Sequence, residues 1–202
     1  MTQQARQEPS TRGSQLSVKD DAAAYPTYCT QEPTSAERRS RLSVIDVRRT
    51  MPVPADDRGP DLAVGCFRLW VLGRQFDQAE DYWDGNWLDV AAEASAAGAS
   101  VRTSGPLVHL PELERFELEC RRLHETLEGQ AELRCMEPNI RLRLQSKGLG
   151  HLRCEVCITP DHMTQRHEFI EELDQTHLPA IIHAIQDVLR RLPVRSRPSE
   201  GV

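Results

Sequence analysis

From Asp61 onward, the apolar residues of this chain fall into short alternating runs separated by Gly- and Pro-containing turns. Only two stretches break the alternation with three- and four-residue spacing. Few folds accommodate that pattern. Strands joined by short turns pair with their neighbours in antiparallel sheets, and amphipathic helices then need an apolar sheet face to cover. Phe67, Leu69 and Val71 alternate with Arg68 along a strand over 66–72. Trp87, Leu88, Val90 and Ala92 read as a second strand, and Ala99, Val101 and Thr103 as a third, ended by a Ser104-Gly105-Pro106 turn. Pro111 suits the first turn of a helix, and Leu113, Phe116, Cys120, Leu123 and Leu127 then form its buried stripe up to a capping Gly129. Alternation returns at 131–135, at 140–144 and at 152–158, and a weaker strand signal covers 166–173. A last helix, capped by Asp174 or Thr176, carries Leu178, Ile181, Ile182, Ile185, Val188 and Leu189 and stops at Pro193. The expected fold is α+β in the order βββ-α-ββββ-α, one antiparallel sheet of six to seven strands with both helices on one face.

The first 60 residues differ in kind. They are rich in Gln, Ser, Thr, Arg, Asp and Pro, and their few apolar residues show no sustained period. Such a segment buries too little apolar surface to offset its ordering entropy. Residues 1–60 are therefore expected to be a disordered extension or a mis-assigned upstream start, with Met51 as a natural initiator. Residues 61–193 form the single domain and 194–202 a flexible tail. No apolar run approaches the ~18 residues of a membrane span, and no signal-peptide core opens the chain. The six cysteines (29, 66, 120, 135, 154 and 157) lack the spacing of a disulfide framework. Reduced, buried thiols in a cytoplasmic protein are expected.

Charge narrows the partner. Residues 61–202 carry 16 Lys/Arg against 23 Asp/Glu, a net of −7. Direct nucleic-acid binding needs a basic footprint, whereas an acidic domain complements a basic protein.

Candidate chemistry concentrates in Asp81-Tyr82-Trp83-Asp84-Gly85-Asn86-Trp87-Leu88, which holds two of the three tryptophans in a chain with 5% aromatic residues. Trp87 enters a strand and reads as core. Tyr82 and Trp83, ringed by Glu80, Asp81 and Asp84, are candidate contact residues for a partner, since rigid aromatic side chains dominate binding hot spots. A hydrolase using Asp81 and Asp84 as paired carboxylates is the catalytic rival. However, an Asp before Gly more often shapes a turn, and no positioned base accompanies the pair. Cys154, Cys157, His162 and His167 approximate zinc-knuckle spacing, but Cys154 and Cys157 stand three apart in an alternating strand and so face opposite ways. His177 and His183 are six apart, off a shared helix face. No metal, cofactor or catalytic group is expected.

Phe67-Arg68-Leu69, Val71, Gly73-Arg74, the aromatic octet, Ser104-Gly105-Pro106, Glu137-Pro138-Asn139, Gly150-His151 and Asp174-Gln175-Thr176-His177-Leu178-Pro179 form a series. Together, over about residues 64–190, they resemble the WapI family of bacterial immunity proteins. The octet and the Asp-Gln-Thr-x-Leu-Pro segment are its specific pieces. The resemblance implies a cytoplasmic protein that neutralises a cognate toxin domain, often a nuclease, by tight binding and without catalysis. Glu80, Asp81, Tyr82, Trp83 and Asp84 are the expected contacts. The alternative class is a generic interaction or self-associating scaffold domain.

Overall fold

The computed structural model of the chain describes residues 58–196, all within one compact unit. The expected N-terminal extension falls outside the described residues up to position 57, and so does the expected tail beyond position 196. The elements are β1 (Leu62–Val64), β2 (Phe67–Arg74), β3 (Trp87–Ala96), β4 (Ala99–His109), α1 (Leu110–Thr126), β5 (Gln130–Arg134), β6 (Ile140–Gly148), β7 (His151–Ile158), β8 (Glu168–Asp174) and α2 (Leu178–Arg191).

The α+β class and the antiparallel pairing match the expectation, but the single sheet does not. The eight strands form two four-stranded sheets, β1-β2-β3-β4 and β5-β6-β7-β8. The split follows from α1, which carries the chain away from β4, so β5 starts a new sheet instead of extending the first. β4 is then an edge strand, the position where a proline is tolerated. Ser104-Gly105-Pro106 is accordingly not a turn: it lies inside β4, with Pro106 opposite Asp89 and a register shift between Leu88 and Asp89. β1 is a three-residue strand, too short for alternation to reveal.

Each sheet turns one apolar face inward. Phe67, Leu69, Leu88, Val90 and Ala92 from the first sheet share one core with Leu142, Leu144, Leu152, Cys154 and Val156 from the second, and with the buried stripes of both helices. α1 begins with Glu112 accepting the His109 N–H (2.9 Å) and ends with Leu127 in the left-handed region, two residues before the glycine expected to cap it. The Glu117 carboxylate, nearly buried, joins the helices by accepting from Gln186 Nε2 of α2 at 2.6 Å and from Arg121 Nη2 at 2.5 Å. No helix among the described residues is long and apolar enough to cross a membrane.

Two sequence signatures meet at one hairpin. The β6–β7 turn places Gly148, Leu149 and Gly150 all at positive φ (84°, 54° and 80°). Gln175 N donates to Gly150 O (2.8 Å), and a Cβ on Gly150 would lie 2.9 Å from Gln175 Oε1. The Asp174-Gln175-Thr176 segment therefore buttresses the hairpin tip, while the Asp174 carboxylate accepts from Thr176 N (2.8 Å) to start the short turn before α2. Leu149 at the tip is fully exposed. A branched apolar residue in the left-handed region costs about 1 kcal/mol relative to residues that visit it readily. Leu149→Asn is expected to raise stability by about that amount in thermal or urea denaturation.

Candidate functional site

The loop between β2 and β3 is built by its own polar groups. Asp81 Oδ1 accepts from Trp83 N and Asp84 N, both at 2.8 Å, and Asp81 O accepts from Gly85 N at 3.2 Å. This initiates the short 3-10 turn at Asp84–Asn86. Gly85 is buried, and a Cβ there would stand 2.5 Å from Ala79 O, so glycine is required by close backbone approach. Asn86, with no exposed surface, is the knot of the loop. Its Nδ2 donates to Tyr82 O (2.8 Å) and Arg195 O (2.9 Å), and its Oδ1 accepts from Arg195 N (2.8 Å). Two arginines close the knot. Arg74 donates to Gly85 O and, at 2.6 Å, to Pro193 O; Arg195 donates to Ala79 O and, at 2.8 Å, to Asp77 O. The segment after α2 thus holds the loop in place.

The aromatic residues surround His109, which sequence reasoning missed. Its ring, 2% exposed, lies 5.5 Å from Tyr82, 6.1 Å from Trp83 and 5.2 Å from Trp87 between centroids. Nε2 is 3.1 Å from Trp83 O. Tyr82 and Trp83 meet edge to face at 5.2 Å. The His109 backbone N–H is fixed by Glu112, whose other oxygen accepts from Met136 N at 2.7 Å. One buried carboxylate therefore couples the aromatic cluster to α1 and to the β5–β6 loop. The His109-x-x-Glu112 spacing, with Pro111 in between, is a capping-type signal that was available in the sequence.

This framework presents a particular outer surface. Trp83 is 56% exposed and Phe76 45% exposed; Glu80, Asp81 and Asp84 are exposed, as is Asp77, and Tyr82 is half-buried. Four of the five expected contact residues are thus exposed and the fifth is half-buried. Asp81 also spends its carboxylate on the turn. Phe76 and Asp77 join the patch without having been singled out in the sequence.

Beside it, Asp89 on β3 lines a pocket of about 310 Å³ with Arg74 and Asp77. Burial pushes its carboxyl above the ordinary carboxylate range. A folded-state pKa raised above the unfolded value means that ionisation costs stability, a cost present above the folded pKa and gone below the unfolded one. Asp89→Asn is expected to stabilise the protein at neutral pH and to give no gain in acid, a pattern read from melting temperatures across pH.

The residues with zinc-knuckle spacing do not converge on one point. Cys154 is fully buried on the inner face of β7, with its thiol pushed up to about 12 mainly by burial, while Cys157 lies on the outer face. His162 is exposed and His167 half-buried, and His177 and His183 are both exposed. Among the described residues, no group of three or more His, Cys, Asp or Glu side chains is arranged to hold a metal ion.

Comparison with known proteins adds one finding. A family model described as the immunity protein WapI-like family matches residues 62–193. No curated protein and no solved structure matches the chain.

Proposed function

The chain belongs to the immunity protein WapI-like family, and from that premise we propose that it neutralises a cognate bacterial toxin in the cytoplasm by occlusion, without chemistry of its own. The observation that carries the reading is the rigid, acid-ringed aromatic loop. Exposed Trp83 and Phe76 stand among Asp77, Glu80, Asp81 and Asp84 on a loop knotted by Asn86 and clamped by two arginines. Rigid aromatic groups keep the entropy cost of binding low, and surrounding carboxylates steer a basic partner into place. A basic nuclease domain fits this chemistry, because its substrate groove is cationic. Glu80, Asp81, Tyr82, Trp83 and Asp84 are the proposed contacts, with Phe76 and Asp77 extending them.

The test is co-expression of the full chain with the toxin encoded beside it. Rescue from toxicity and recovery of a stable complex support the reading. The reading falls if the neighbouring gene encodes no toxin, or if the two proteins do not bind. Self-association through the same loop, detected by light scattering, would favour the scaffold reading instead.

A further inference from the structure

The second sheet carries a cleft of about 560 Å³ at the end of β6 and β7 opposite the Leu149 hairpin. Its charged lining is cationic: Arg134 from β5, Arg141 from β6 and Arg166 from the segment between β7 and β8, beside His162, Gln165 and Thr159. No Asp or Glu side chain lines it, in a domain where acids outnumber Lys and Arg. Arg141 donates to Cys157 Sγ at 3.7 Å and approaches Glu132 only at 4.0 Å, and Arg166 approaches Glu168 at 3.7 Å. Each guanidinium carries five N–H donors in a planar fork, so one distant carboxylate leaves most of them for a ligand. Arg134 makes no ion pair among the described residues. The wall between these cations is apolar, formed by Ile140, Pro138 and half-exposed Met136.

Two of the four zinc-type residues, Cys157 and His162, line this same cleft. Three guanidinium groups around them repel a dication and attract an anion, so the cleft reverses the sense of that motif. The volume lies within the range of ordinary ligand pockets. Arginines beside an apolar wall suit a ligand that offers carboxylates and apolar side chains together. A long polyanion would meet the flanking carboxylates of Glu132 and Glu168, which stand beside Arg141 and Arg166. Met136 N is bonded to Glu112, so the rim of the cleft is tied to the aromatic cluster.

We propose that this arginine-lined cleft is a docking site for a short acidic segment of a protein partner, bearing Asp or Glu side chains interleaved with apolar ones. The site is separate from the acid-ringed loop, and its occupancy does not depend on toxin binding.

The test uses the full chain and a fluorescently labelled peptide of alternating Glu and Leu, followed by anisotropy. The expected result is saturable binding that weakens about tenfold or more in Arg134→Glu/Arg166→Glu. The same binding is expected to stay unchanged in Arg102→Glu, which alters an exposed arginine of the other sheet. The milder Arg134→Gln/Arg166→Gln pair, checked for an unchanged melting temperature, gives the same direction of effect if charge reversal perturbs folding. Absence of peptide binding overturns the proposal, and so does equal binding by the variants. Tighter capture of a single-stranded oligonucleotide at the same residues also overturns it, by assigning the cleft to a polyanion. Because the assay contains no toxin, its failure leaves the immunity reading standing, and failure of toxin binding leaves the cleft standing.

Discussion

Replacing Asn86 with alanine is expected to lower the free energy of unfolding by about 2–4 kcal/mol. The side chain is fully buried and satisfies three backbone groups, Tyr82 O, Arg195 O and Arg195 N. Alanine supplies no partner to any of them, and an unmet buried polar group costs about 1–3 kcal/mol. Against a typical total of about 5–15 kcal/mol, that loss is large for one side chain. Asn86→Asp separates the donor role from the acceptor role. It keeps an oxygen for Arg195 N but turns a second oxygen toward the Tyr82 and Arg195 carbonyls. At neutral pH it is therefore expected to destabilise at least as much as alanine, and protonation in acid is expected to relieve part of the cost. Urea denaturation with an unchanged m-value checks both variants.

Trp83→Ala is expected to leave folding nearly intact and to weaken toxin binding by about 30-fold or more, the scale of a hot-spot loss of about 2 kcal/mol. More than half of the Trp83 side chain lies outside the protein, so little buried surface is lost from the fold. Its backbone, in contrast, is fully engaged: Trp83 N bonds to Asp81, and Trp83 O lies against His109 Nε2. The loop conformation therefore survives while the anchor is removed. Asp84→Lys, at an exposed position, probes the other half of the design. A rim charge acts mainly on association rate and salt dependence, so this variant is expected to slow association most at low ionic strength. Neither effect follows if the loop is a fold signature alone.

The parts of the fold that were legible in the sequence are those encoded locally. The stripe of α1 up to Leu123, the stripe of α2, and the alternation of Ile140, Leu142 and Leu144 against Leu152, Cys154, Val156 and Ile158 recur in the structure with the expected inward face, whereas Leu127 falls past the end of α1 and outside the core. What failed depends on partners distant in the chain. Whether β5 pairs with β4 or begins a second sheet is decided by the path of α1, and nothing in either strand records it. Ser104-Gly105-Pro106 has the composition of a turn, yet pairing with β3 at a sheet edge absorbs it. The octet was recognisable as a unit, but its supports were not. Asn86 reads as a turn residue until Arg195, 109 positions later, is seen to bond both ends of its amide. Of the missed residues, only His109 carried a local signal, in its spacing from Glu112.

The most direct test is titration of the full chain with the proposed cognate toxin domain, comparing wild type with Trp83→Ala and Asp84→Lys at about 50 and 300 mM salt. Tight wild-type binding that weakens with salt is expected, with a loss of about 30-fold or more for Trp83→Ala and a blunted salt response for Asp84→Lys. Absence of binding, or equal affinity for all three proteins, would contradict toxin neutralisation through this loop.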